Sequence, residues 1–387
     1  MEVLAFNPDG YNIISPYNPI LYTLIEDLLN DGIRVTLVSG MNKGQSEMLG
    51  IPSWLLRLGG LKIKMVRRIK VNKKNLAIRY LEELWFALCC SFEGIFHSKA
   101  DIVFIPSTPA FGIAAVLLAK IGRKKVIYNL QDIFPDAEIN CGVLKNPFII
   151  KVFRIIEKQI YKSCSKLVVL DEDMQRNIIS KGVCQEDVLI IPNWIDDQAV
   201  REVSRDRNSF FVKYSLSPDL FYVVHAGNLG LAQNMDIVLE AARQLTCEKG
   251  IRFLMIGDGS CRSRVVAKAK AMALSNMSFY PFEPQERVSE VYSAGNAYIV
   301  SLKRGVIGTA VPSKTNSIMA CSRPVLACVD EGSGFYNMIN DNGLGIAVGP
   351  EDVQGLADAI LKLYKCSLTA GEMGEKSRKY IECNLSR

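Results

Sequence analysis

Residues Tyr222–Ile256 read YVVHAGNLGLAQNMDIVLEAARQLTCEKGIRFLMI. Two short apolar runs, Tyr222–Ala226 and Phe253–Ile256, enclose a glycine-bearing turn and a segment of helical period, Met235–Leu245. Strand, helix and strand in this order make a βαβ unit, and the parallel pairing it implies needs helices on both faces of the sheet. The alternation continues downstream with helix Arg262–Leu274, strand Ser278–Tyr280, helix Glu286–Ala294 and strand Ala297–Val300. Helix Pro312–Ala320, strand Pro324–Cys328 and helix Val353–Tyr364 complete this half.

Upstream the pattern is the same. Val3–Phe6, Ile20–Asn30 and Val35–Ser39 read as strand, helix, strand, and a long helix is expected at Asn75–Phe96. Strand Ile102–Pro106, helix Ala110–Ile121, strand Val126–Asn129 and helix Phe148–Ser163 follow. Strand Lys166–Leu170, a helix opened by Asp171 or Asp173, and strand Val188–Ile191 end the first half. The turn IPNWIDD, Ile191–Asp197, and the polar stretch after it mark a junction. The expected architecture is α/β, with two doubly wound domains at residues 1–192 and 193–387. Ligands of open parallel sheets collect beyond the carboxyl ends of the strands, so the expected site is a cleft between the two sheets.

The chain has 387 residues, 49% hydrophobic and 22% charged, which excludes collagen, coiled coil and wholesale disorder. No uncharged apolar run approaches the roughly 18 residues of a membrane span. The N-terminus carries neither a basic region nor a long apolar one, and eleven cysteines without CxxC spacing suit a reducing compartment, so the expected location is cytoplasmic. Only two histidines occur, His97 and His225, which argues against a multi-histidine metal site.

Net charge is +6, and residues 1–190 hold 24 Lys and Arg against 19 Asp and Glu. The excess gathers in Arg57–Lys74, eight basic residues without an acid, directly after Trp54, Leu55 and Leu56. Such a segment suits an anionic surface. Trp54, Arg67 and Arg68 are its candidates for contact with a membrane or a lipid diphosphate; a solvated basic face and a nucleic-acid contact are the alternatives.

Four stretches bear on chemistry. HAGNLGLAQNMD, His225–Asp236, joins a strand to a helix, and its glycines are expected to leave backbone amides open for phosphate. Neither it nor IGDGSCR, Ile256–Arg262, has the GxGxxG spacing of a dinucleotide site, which disfavours an NAD enzyme. In LKRGVIGTAVPSKTNSIMA, Leu302–Ala320, helix-start amides, Ser313 and Lys314 converge as a diphosphate leaving group requires; the alternative is a capped helix with a solvated lysine. YNLQDIFPD, Tyr128–Asp136, puts Asp132 beyond a strand, as an acceptor contact or a loop cap. His225 reads more readily as structural than catalytic, and the turn ISPYNP, Ile14–Pro19, is explained by turn chemistry alone.

The order HAGNLG, IGDG, FEP, VPSKTNSIMACSRPVLA resembles the family 4 retaining glycosyltransferases of the GT-B fold, over nearly the whole chain. Within that family it is similar to bacterial transferases of O-antigen or capsule assembly, including N-acetylfucosamine transferases. The resemblance implies two Rossmann-like domains, a nucleotide-sugar donor and front-face transfer without a metal or other cofactor. Ser313, Lys314, Asn228 and Gly230 would hold the donor diphosphate, Phe282 and Gly257 would line the base pocket, and Asp132, with Lys314 the candidate catalytic group, would face the acceptor. Two glutamates of many relatives are replaced by Thr309 and Ser317, so Ser317 stands where a ribose-binding carboxylate is expected. The basic pair that relatives carry after the glycine turn is absent from NLGLAQN. The chain ends at CNLSR where relatives continue with a helix that returns to the first domain, so a missing C-terminal segment is expected.

The implied activity is transfer of a sugar, N-acetylated by this likeness, from UDP to a lipid-diphosphate-linked acceptor at the inner face of the plasma membrane. Rival readings are a UDP-N-acetylglucosamine 2-epimerase of the same architecture, a two-domain solute-binding protein and a nucleic-acid binder, the last disfavoured by the modest net charge.

Overall fold

The computed structural model describes residues 1–7, 17–41, 51–69, 76–106 and 108–387. The turn at Ile14–Pro19 and residues 70–74 of the basic segment lie wholly or partly outside the described residues. The chain divides into two compact units: Met1–Ala137 with Leu144–Ile191, and Glu138–Val143 with Pro192–Arg387.

In the first unit the strands are β1 (Glu2–Asn7), β2 (Arg34–Met41), β3 (Leu61–Arg67), β4 (Ile102–Pro106), β5 (Lys125–Asn129), β6 (Lys166–Val169) and β7 (Val188–Ile190). They form one parallel sheet in the order β3-β2-β1-β4-β5-β6-β7, with Val3 opposite Val35 on one side and Ile102 on the other. Helices α1 (Tyr17–Asn30), α2 (Ser53–Leu56), α3 (Leu76–His97), α4 (Pro109–Ile121), α5 (Asp136–Asn140), α6 (Pro147–Ser163) and α7 (Glu172–Ser180) connect them. Local chemistry sets the boundaries. Asn146 accepts from the Phe148 amide at 3.0 Å with Pro147 in the first turn of α6, and Asp171 accepts from the Met174 amide at 2.7 Å to open α7.

Strand β3 was not expected, because its lysines and arginines weigh more in a charge count than in a pattern. LKIKM, Leu61–Met65, alternates apolar and basic residues with period two, and the strand pairs with β2 from Val35–Leu61 to Met41–Arg67 at the sheet edge.

The second unit repeats the design: β8 (Phe221–Ala226), β9 (Ile251–Ile256), β10 (Met277–Tyr280), β11 (Ala297–Ser301), β12 (Val325–Cys328) and β13 (Gly345–Val348), all parallel, in the order β10-β9-β8-β11-β12-β13. Its helices are α8 (Ser209–Tyr214), α9 (Met235–Gln244), α10 (Arg262–Ala271), α11 (Val288–Ser293), α12 (Lys314–Ala320), α13 (Gly334–Asp341), α14 (Val353–Lys365) and α15 (Ser367–Asn384). Successive strand residues feed opposite cores. Val223, Phe253 and Ile299 pack on one face, while Val224, Leu254 and Tyr298 pack on the other. Coverage on both sides explains why β8 is buried at every position.

Helix α12 starts two residues later than expected, because Ser313 takes the cap position and Pro312 lies ahead of it, accepting from the Thr315 amide at 3.0 Å. Elements β13, α13 and α15 follow the last strand read from the sequence. Arg378 of α15 grips the junction turn, donating to the Asp197 carbonyl at 2.9 Å and its carboxylate at 3.0 Å. In each sheet the strand order reverses once, at β1/β4 and at β8/β11, and loops at such a switch point diverge to leave a crevice.

Candidate functional site

In the second unit the loops that leave β8 and β11 flank its switch point. The β8 loop begins at Gly227, with φ +137°, and touches the β9 loop backbone to backbone. A Cβ at Gly257 would lie 2.0 Å from the Gly227 carbonyl oxygen, and one at Gly259 would lie 2.4 Å from the Asn228 side-chain oxygen. Only glycine permits that approach. Three amides here are not open, contrary to expectation. Gly227 donates to the Ile256 carbonyl (2.9 Å), Leu229 to that of Asp258 (2.8 Å) and Gly230 to the Gln233 side chain (2.9 Å). Two of these donors close the turn against β9 and the loop that follows it, and the third closes the turn on itself. The exposed Asn228 offers a side-chain donor at this turn.

The β11 loop is tied across to the same turn. Lys303 donates its amide to Ala232 (2.9 Å), and Ser301 donates its hydroxyl to Asn234 (2.7 Å). Gly305 and Gly308 turn the chain with φ near +80°, and the Gly305 amide donates to the Asp330 carboxylate at 2.8 Å. The loop delivers Lys314 beside the β8 turn. Its Nζ lies 3.4 Å from His225 Nε2, and its stem runs along Gly227, where a Cβ would stand 3.6 Å from its Cε.

This pair decides the electrostatics. His225 is fully buried, and burial first, then the Lys314 charge, hold its imidazole well below the ordinary range, so it is neutral. Burial pushes the Lys314 ammonium down to about 7. Among the described residues no carboxylate pairs with it. A crowded cation without a counter-ion at a switch point is a place for an anion. Ser313 is exposed next to it and spends no side-chain bond on capping. Ser317 lies half-buried one turn along α12, and Asn316 between them donates to the Asn193 carbonyl at 2.8 Å. Thr309, the other position expected to carry a glutamate, is buried and bonds to Val306.

Phe282 is exposed beyond β10. Its neighbour Glu283 turns inward, accepting from Lys213 (2.6 Å) and Tyr214 (2.5 Å), so the loop is pinned while the ring stays free for a flat ligand. Among the described residues no group of three or more His, Cys, Asp and Glu side chains is arranged to hold a metal.

In the first unit Asp132 follows β5. Its side chain is solvent-accessible yet ringed by protein, and that desolvation pushes its carboxyl up. The same loop ends at Asp136, buried in a charge network that sequence reasoning missed. Lys181 bridges Asp136 (2.6 Å) and Glu157 (2.5 Å), Arg154 pairs with both carboxylates, and Tyr161 donates to Glu157 at 3.0 Å. Arg154, Glu157 and Tyr161 are neighbours on α6, but the links that join them to Asp136 and Lys181 span up to 45 positions of the chain. The basic segment is distributed differently. Arg68 is spent on Glu82 through two hydrogen bonds and lies 5.0 Å over the Phe86 ring, while Trp54 and Arg67 are exposed.

Two family models divide the chain between them. "Glycosyltransferase Family 4" matches residues 20–199, and "Glycosyl transferases group 1" matches residues 206–380. The chain belongs to the family 4 glycosyltransferases. It is accordingly an enzyme of glycosyl transfer. A Pseudomonas aeruginosa protein named as a glycosyltransferase, WbjE, is 27% identical over 81% of this chain and 78% of its own length. A protein of Escherichia coli (strain K12) named as a colanic acid biosynthesis glycosyl transferase, WcaI, is 25% identical over 67% of this chain and 66% of its own. Among solved structures, Anabaena HepE in complex with UDP and glucose superimposes with a TM-score of 0.73 at 14% identity, covering 100% of this chain and 96% of that one. That likeness shows the GT-B class of fold for this family member.

Proposed function

We propose that this glycosyltransferase moves a sugar from UDP, with retention of configuration, to an acceptor carried on a lipid diphosphate during assembly of bacterial surface polysaccharide. The carrying observation is Lys314, a crowded ammonium with no counter-ion among the described residues, set beside neutral His225 and the Gly227 turn. Cleavage of the donor bond builds negative charge on the departing diphosphate, and a preorganised cation stabilises the transition state more than the ground state. Ser313 and Asn228 supply exposed hydrogen-bond donors beside it. Phe282 offers a face for the base, and Asp132, with its carboxyl raised, contacts the acceptor hydroxyl. The departing phosphate oxygen takes the acceptor proton, so the transfer needs no metal.

The names of WbjE and WcaI support surface polysaccharide as the setting, and the HepE complex supports UDP as the donor nucleotide. A lipid-borne acceptor implies work at the inner face of the plasma membrane. Calorimetric titration of UDP, GDP and ADP into wild type and Lys314→Ala tests the donor assignment. Preference for UDP that collapses in the variant supports it; equal binding by both proteins overturns it.

A further inference from the structure

Helix α3 wears its apolar side outward. From residue 78 to 96 its exposed described side chains are Ile78, Leu81, Trp85, Leu88, Phe92 and Phe96, every one apolar. Their three- and four-residue spacing lines them along one stripe, roughly 27 Å long at 1.5 Å per residue. The helix has three acids: Glu82 is buried against Arg68, Glu83 is half-buried, and Glu93 pairs with Lys64 at 2.9 Å and with His97 at 2.9 Å. Its inner side, including Phe86, Cys90 and Ile95, is buried as well. A helix that serves only its own fold exposes charge, not six large hydrophobic groups.

The neighbouring helices extend the surface. Helix α3 packs on α4 and α4 on α6, which makes one layer over the sheet. Helix α4 exposes Leu117, Ile121 and Lys120. Helix α6 exposes Phe148, Ile149, Val152 and Ile155, with Lys151, Lys158 and Lys162 set among them. Of the acids on the three helices, Glu82 and Glu157 are buried, Glu83 is half-buried, and Glu93 keeps a partly exposed side chain that Lys64 and His97 answer. Contiguous apolar surface rimmed by one sign of charge marks an interaction face.

Charge selects the occupant. A two-fold pairing with a second copy would set lysines against lysines, because such an interface matches a patch with itself. Lysines around an apolar stripe are what an anionic lipid surface attracts. Among the described residues no helix is long and apolar enough to cross a membrane, so contact is made in the plane of the interface. We propose that the outer face of α3, α4 and α6 lies on an anionic bilayer, with the α3 stripe at the headgroup–acyl boundary and the lysines of α6 on lipid phosphates. The inference rests on the lipid-borne acceptor for its purpose, not for its geometry. It places the contact on a helix layer rather than on Arg68.

Co-sedimentation of the full chain with phosphatidylglycerol-rich and with pure phosphatidylcholine vesicles tests it. Wild type is expected on the anionic vesicles with a steep loss at high salt. Trp85→Glu with Phe92→Glu lowers retention on the order of a hundredfold, from two large apolar groups withdrawn. Lys151→Glu with Lys158→Glu lowers it about thirtyfold or more. All four side chains are exposed or at the surface, and circular dichroism of each variant verifies folding. Equal retention by both vesicle types overturns the proposal, as does unchanged binding by the folded Trp85/Phe92 variant. A wild-type dimer that this variant splits, with vesicle binding untouched, also overturns it. UDP titration of the same wild-type preparation reads the donor assignment separately.

Discussion

At the scale of single residues the site depends on one ammonium group and one missing Cβ. Lys314 has a folded-state value of about 7, below the roughly 10.4 of an unfolded lysine. Between those values the unfolded chain binds more protons, so the cost of the buried charge is full below pH 7 and disappears above about pH 10. Stability of the unliganded protein should therefore rise with pH across that window, and Lys314→Met should flatten the slope in denaturant titrations. Binding of a diphosphate favours the ammonium form. At pH 8, UDP binding should take up protons, seen as a dependence of calorimetric heat on buffer ionisation enthalpy that the methionine variant lacks. Gly257→Ala sets a methyl carbon against the Gly227 oxygen at a φ of +139°. Its expected cost is roughly 2–4 kcal/mol by urea denaturation, with weakened UDP binding, because the same turn borders Lys314.

At the scale of elements, the loop bearing Asp132 is held by the buried charges at its end. Burial by itself would raise the Asp136 carboxyl, but hydrogen bonds from Lys181 and Arg154 outweigh it and hold the group below the usual range. Its stabilisation is thus present above about pH 4 and lost as pH falls through the lowered value. Lys181→Met leaves Asp136 and Glu157 short of a partner between helices α5, α6 and α7, and should destabilise by about 3–5 kcal/mol, measured at neutral pH by denaturant melting. The pattern of the elements was legible because period two and period 3.6 are properties of local sequence. LKIKM carried the alternation that opens β3, yet its charge pointed to partners outside the chain. Lys64 of the strand and Arg68 just after it are answered by Glu93 and Glu82 of α3, which stand 29 and 14 residues further on.

At the scale of the whole molecule, two compact units imply that a ligand of one stabilises that unit first. A UDP concentration of 100 Kd adds about 2.7 kcal/mol to whatever cooperative block contains Lys314. Scanning calorimetry should show the shift in the transition that includes residues 192–387, and the Lys314→Ala variant should not move. Family membership and the doubly wound halves could be read from the chain alone, since strand–helix alternation and the VPSKTNSIMA motif are contiguous in sequence. What needed the tertiary structure was every relation between distant residues. His225 and Lys314 meet across 89 positions. Gly227 and Leu229 spend their amides on β9 and the loop after it, and helix α3 carries a hydrophobic stripe on its outer side. Local spacing sets periodicity and therefore elements; packing alone decides which polar groups are already satisfied and which remain to bind.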